Sequence, residues 1–327
     1  MARFDYFEPD HLDELFDLLA RYGEDARVVA GGQSLLILIR QGLVRPGVLI
    51  SLDKISSLRQ IAYKDNEIIL GAMVTQSELS AEDRMRKHLA VLSQAASKVG
   101  SVHVQNLGTV GGNLCHAEPN GDSAPALLST GASIRASSSR GERAIPLEDF
   151  FRGPFENVLE PDEAVTHIHV PVPGSSASSV YPVPQNAAHV SVGMNVPDFP
   201  DGQRPKATDV SPWYGVYLKH ALRAVDRATV SVGLMMQMER GGRCQEIRIG
   251  LGGAAPTPIR AKEVEALLRG EKITESIIEA AGMEVSRNCD PLSDAHGPAE
   301  YKRKMAGLLT KRAIRQLVGA YSAKQEV

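Results

Sequence analysis

Two glycine-rich turns stand far apart in the chain: Ala30-Gly31-Gly32-Gln33-Ser34, and Leu107-Gly108-Thr109-Val110-Gly111-Gly112-Asn113. Glycine bends the backbone where other residues cannot and leaves its N–H groups uncovered. A row of such groups is what a phosphate binds. Beside the second turn, the Thr109 hydroxyl can donate to a phosphate and the Asn113 carboxamide can bond two ways. Asp122 can accept from sugar hydroxyls. Either turn alone reads as tight packing. Two of them converging could hold a dinucleotide by its diphosphate, and the order of the flanking residues points to a flavin dinucleotide.

Other chemistries lack their residues. No GxGxxG follows the first strand, and the chain has no Walker A lysine, no HExxH and no GxSxG. Cys115 and His116 are adjacent, but neighbours rarely chelate one metal together and no second pair matches them, so no metal ligand is expected. The three cysteines, Cys115, Cys244 and Cys289, form no CxxC. They read as reduced thiols and cannot supply the four thiolates of an iron–sulfur cluster. No side chain stands out as a catalytic acid or base.

A length of 327 residues predicts about two domains, with room for a third. The net charge of −3 argues against nucleic-acid binding, and Arg84, Arg86, Lys87 and His88 read as a solvated face. The N-terminus has no apolar stretch of signal-peptide length. The longest aliphatic run, Leu35 to Ile39, ends at Arg40, too short to span a membrane. The expected location is cytoplasmic.

The elements that would position the turns follow from periodicity. Residues 10–22 form one apolar helical face with Asp10 as N-cap, and 27–30 a strand leading into the first turn. A helix over 35–41 opens at Ser34, so this turn lies between a strand and a helix N-terminus, where anions are stabilised. Strands are predicted at 48–52 and 67–71, and a helix start at Thr75. A long helix over 83–99 ends at Gly100, with the second turn directly after it. A buried helix follows over 124–130, then a β-pair at 133–136 and 143–146, a helical turn at 147–151 and a strand at 164–170. From Val172 to about Pro212 the chain is rich in Pro, Ser, Asn and Asp and has no clear period. Strands at 228–236 and 246–251 and helices at 261–268, 275–287 and 299–319 then form a separate α+β unit.

AGGQSLL followed by NLGTVGGNL, with a proline and an aspartate beyond, resembles the FAD-binding subunit of the molybdenum hydroxylases. That family includes xanthine dehydrogenase, aerobic carbon monoxide dehydrogenase and 4-hydroxybenzoyl-CoA reductase. Tyr217-Leu218-Lys219 with Arg223-Ala224-Val225-Asp226, and His296-Gly297-Pro298-Ala299-Glu300-Tyr301, resemble later stretches of the same subunit. The likeness covers nearly the whole chain apart from residues 175–212. It implies an α+β fold that opens with a two-subdomain p-cresol methylhydroxylase (PCMH)-type FAD-binding domain over 1–174. Its small subdomain spans about 1–55 and its larger subdomain about 56–174. An insertion over 175–212 and a C-terminal α+β domain over 213–327 complete the chain.

The resemblance implies that Gly31, Gly32, Gln33, Ser34 and Leu35 hold the pyrophosphate through backbone N–H groups. Thr109, Gly112 and Asn113 would face it from the other side. Asp122 would meet the ribose or ribityl chain, Lys219 would lie near the isoalloxazine, and Gly71 and Ala72 would line the adenine side. It implies non-covalent FAD here, with a molybdenum cofactor on a large partner subunit and [2Fe-2S] clusters on a small one. Electrons would pass from those clusters to the flavin, then to NAD, a quinone, ferredoxin or oxygen. The reductase branch carries an extra cluster in its flavin subunit; the cysteines needed for it are absent here. In the insertion, Tyr181, Val183, Val190, Val192, Met194, Val196 and Phe199 are too apolar for a simple linker and predict docking on the flavin domain or a partner. Two rivals remain: a stand-alone flavin oxidase with His103 or His116 as covalent anchor, and an interaction subunit that has lost flavin.

Overall fold

A computed structural model describes residues 4–64, 67–172, 213–239 and 241–325. The insertion lies outside the described residues, as do the apolar positions that predict its docking.

The chain begins with a three-stranded parallel sheet. β1 (Asp5–Phe7), α1 (Leu12–Tyr22), β2 (Ala26–Val29), α2 (Leu35–Arg40) and β3 (Val48–Ser51) follow one another, with sheet order β1-β3-β2. Leu15, Phe16 and Leu19 recur at helical spacing and bury α1 against Ile50 and Val48. His11, not Asp10, is the N-cap of α1. The Asp10 N–H instead meets the Glu14 carboxylate at 3.2 Å.

A five-stranded antiparallel sheet with helices over it comes next. Its segments are β4 (Ile61–Tyr63), β5 (Glu67–Gly71), α3 (Gln76–Ala81), α4 (Asp83–His88), α5 (Ala90–Ala96), α6 (Val102–Leu107), α7 (Val110–His116), α8 (Ser123–Thr130), β6 (Ser133–Ser138), β7 (Gly141–Pro146), β8 (Phe151–Gly153), β9 (Glu156–Asn157) and β10 (Ala164–Pro171). The sheet order is β4-β5-β10-β6-β7, with β8 and β9 as a separate hairpin. Thr75 opens α3 with a reciprocal cap from Glu78. The expected single helix over 83–99 is two helices. Leu89 leaves helical conformation between them and is completely buried, so the break points that side chain into the core. The short helix α6 separates Gly100 from the second turn, which therefore does not follow directly.

The C-terminal unit holds β11 (Trp213–His220), β12 (Val230–Met238), β13 (Cys244–Gly252), β14 (Ile259–Arg260), α9 (Lys262–Leu268), α10 (Glu275–Asn288) and α11 (Ala299–Gln325). The four strands pair antiparallel in chain order. Every residue of β12 is buried, because α11 covers one face of the sheet and α8 the other, with α10 packed behind α11. Glycines make the α8 seat. A Cβ at Gly233 would lie 2.6 Å from the Pro125 carbonyl oxygen, and one at Gly252 2.7 Å from the Pro125 ring. Among the described residues, no helix is long and apolar enough to cross a membrane.

Candidate functional site

The two glycine turns meet. Gly31 lies directly against the Leu107 carbonyl and 3.0 Å, measured from an added Cβ, from Gly108 Cα. A Cβ at Gly112 would lie 3.2 Å from Ala30 Cβ. Any side chain at Gly31 would push the turns apart.

Their backbone groups differ. In the first turn, the N–H groups of residues 31 to 35 find no acceptor among the described residues. Gly32 takes φ +67, a left-handed backbone conformation that favours glycine. The Gln33 side chain braces the turn by donating to the Gly31 carbonyl at 3.0 Å, and the Ser34 side chain makes no cap hydrogen bond. A row of open N–H groups around a positive-φ glycine fits a diphosphate. In the second turn, Val110 N–H donates to Val74 O, Gly111 N–H to Ala72 O and Gly112 N–H to Thr109 Oγ. Only Thr109 keeps an N–H without an acceptor among the described residues, and its hydroxyl proton stays available. The Asn113 carboxamide, half-buried one turn along α7, makes no hydrogen bond among the described residues.

Gly71 and Ala72 sit behind this turn. Gly71 abuts the Leu58 carbonyl, and Ala72, 3% exposed, accepts from Gly111 at 3.0 Å. Neither faces open space.

Asp122 and Lys219 are brought together, 97 residues apart. Asp122 accepts from Lys219 Nζ at 2.9 Å on one oxygen and from the Tyr217 hydroxyl at 2.6 Å on the other. Lys219 also donates to Lys98 O at 2.8 Å. The side chains of Lys219 and Asp122 are 4% and 6% exposed. Burial raises the Asp122 carboxyl above its ordinary range, against the pull of Lys219 and Tyr217. Burial also pushes the Tyr217 phenol well up, so it stays protonated and donates. Tyr217 is absent from the sequence-based site. Its signal was the two-residue spacing from Lys219, which puts both side chains on one face of β11.

Next to the C-terminal end of α7, the His116 ring packs on Phe155 with centroids 5.2 Å apart, and burial lowers its imidazole pKa. His103 is exposed on α6. Burial pushes the Cys115 thiol up to about 12. No group of three or more potential metal ligands occurs among the described residues.

Comparison with known proteins agrees with this architecture. Residues 2–173 match the model for the FAD binding domain in molybdopterin dehydrogenase, and residues 216–317 that for the CO dehydrogenase flavoprotein C-terminal domain. The carbon monoxide dehydrogenase medium chain of Afipia carboxidovorans is 28% identical over 311 residues, covering 95% of each chain. In solved structures, carbon monoxide dehydrogenase from Hydrogenophaga pseudoflava superposes with a TM-score of 0.81 at 29% identity, covering 96% of each chain. Quinoline 2-oxidoreductase from Pseudomonas putida 86 gives 0.81 at 27%, covering 97% of this chain and 98% of that one.

Proposed function

The chain belongs to the family of FAD-binding subunits of molybdopterin dehydrogenases, and on that premise we propose that it is the electron-transfer flavoprotein of a multi-subunit oxidoreductase. In this reading it works between a small iron–sulfur subunit, served by a molybdenum-binding large subunit, and an external electron acceptor. FAD, when bound, supplies electron exchange that no side chain here can perform. The protein's role is to bind, orient and shield.

The observation that carries the reading is the run of open N–H groups from Gly31 to Leu35, pressed against the second turn. These groups donate to the diphosphate, and the Ser34 and Thr109 hydroxyls add to them. Gly112 keeps the opposite wall low, and Asn113 bonds the ligand further along α7. Gly71 and Ala72 act from behind, by holding Gly111 in place. Lys219 and Asp122 set the flavin side where the first 174 residues meet the domain from 213 onward. The three unpaired cysteines favour a reducing, cytoplasmic setting.

The test is the full-length chain, purified alone and with its iron–sulfur and molybdenum subunits. One FAD per chain is expected, and acid precipitation should release the yellow colour to the supernatant. Colour retained on the precipitate would point to a covalent flavin. Oxidation of an organic substrate by the chain alone, at the rate of the complex, would refute the electron-transfer role.

A further inference from the structure

Resting on the flavin reading of the first turn, we propose that Glu118 is the carboxylate that accepts the vicinal hydroxyls of the dinucleotide's sugar. The Glu118 side chain is only 10% exposed, and its Oε2 is buried with no hydrogen-bond partner among the described residues. Arg227 Nη1 stands 3.3 Å from that oxygen and supplies charge without a hydrogen bond. A buried carboxylate oxygen left without a donor is costly, so this one calls for a donor beyond the described residues.

Position agrees with chemistry. Glu118 follows α7, the helix that starts at Thr109 beside the phosphate-binding run. Seven helical residues span roughly 10 Å, comparable to the length of a nucleoside. The Glu118 carbonyl accepts from Gly121 at 2.9 Å, and Gly121 lies beside the Asn113 carboxamide, 3.5 Å from an added Cβ. The backbone direction at Glu118 is fixed by strain. Ala117 at φ 49 and Phe155 at φ 63 are the non-glycine residues with positive φ among those described, and Phe155 N–H donates to Ala117 O at 2.9 Å. An acidic side chain on the sugar hydroxyls is a general solution in dinucleotide sites.

The experiment measures FAD affinity of the full-length chain for wild type, Glu118→Gln and Glu118→Asp. It is repeated with two analogues, one with 2′-deoxyadenosine and one with a 2′-deoxyribityl chain. Glu118→Gln should weaken FAD binding about tenfold or more, and should weaken by much less the analogue that lacks the hydroxyl Glu118 holds. Which analogue behaves so identifies the sugar. Glu118→Asp should keep some of the discrimination. If wild type binds FAD and Glu118→Gln binds it equally, the proposal fails alone. It also fails alone if Glu118→Gln loses the same factor for all three ligands, since Glu118 then acts only structurally. If wild type binds no FAD, the proposal and the reading beneath it fail together.

Discussion

The first glycine turn leaves its backbone donors open, and the second spends nearly all of its own on the protein. Both read as Gly-Gly motifs, yet they have opposite jobs. In the proposed function the first receives an anion. The second is a buttress, tied through Ala72 and Val74 to the five-stranded sheet, and its glycines exist so that two backbones can touch. A glycine-rich stretch therefore indicates close approach, and only the destination of its N–H groups says whether the approaching partner is a ligand or the protein.

The most damaging way to test that division is at the joint. Gly31→Ala puts a Cβ inside the Leu107 carbonyl, where no flexible side-chain end can yield. We expect a loss of about 3 kcal/mol or more in thermal unfolding and a protein purified without flavin. Full stability with full flavin would mean that the turns do not meet.

Next, the two turns should respond oppositely. Gly32→Val forces a β-branched residue to φ +67 and sets a Cβ 2.8 Å from the Leu36 side chain, beside the open donors. FAD affinity should fall about a hundredfold while the C-terminal domain stays folded. Gly111→Ala sets a Cβ 2.6 Å from Ala72 Cβ, costing about 1–3 kcal/mol of stability with FAD affinity nearly kept. Titration of both variants with FAD decides; equal affinity losses would erase the distinction.

Acid should loosen the buttress. Burial, helped by His169 and Arg135, lowers the His167 imidazole from 6.5 to about 4. The folded protein therefore holds this ring neutral. Its contribution is present above pH 6.5 and is lost as pH falls toward 4. Because the ring is not wholly buried, we expect on the order of 2 kcal/mol. His167 pairs with Gly71, and the adjacent Thr166 carbonyl accepts from Ala72, so the change reaches the second turn. Denaturant unfolding at several pH values should show this slope, and His167→Asn should flatten it.

The smallest effect is at the cap of α7. Thr109→Val removes the acceptor for Gly112 N–H and should cost about 1 kcal/mol with a modest loss of FAD affinity. Thr109→Ser should restore both. An unchanged melting curve in the valine variant would show that the cap contributes nothing.

Much of this was legible in the sequence, and the failures share a cause. The strand–turn–helix around Gly31, and the two central strands and the three helices of the C-terminal unit, follow from local periodicity, whereas β11 and β14 do not. The break at Leu89 does not, because the residues on both sides are helix-compatible and only the core decides where that side chain goes. The open donors at 31–35 and the consumed ones at 110–112 look alike in sequence, since Ala72 and Val74 lie more than 30 residues away. Asp122 reads in the sequence as a lone acid after a glycine; its hydrogen-bond partners, Tyr217 and Lys219, arrive from 95 and 97 residues further on. Contacts between distant segments decide which polar groups remain for a ligand, and periodicity does not report them.

The seat of α8 on the C-terminal sheet has a mechanical consequence. Shear between packed layers needs side chains that can change rotamer and slide over one another. At Gly233 and Gly250 that layer is missing, and the helix backbone rests on the strands themselves, with the Pro125 ring on Gly252. The joint has no bearing surface. It acts as a weld, so α8 and the C-terminal sheet move as one body.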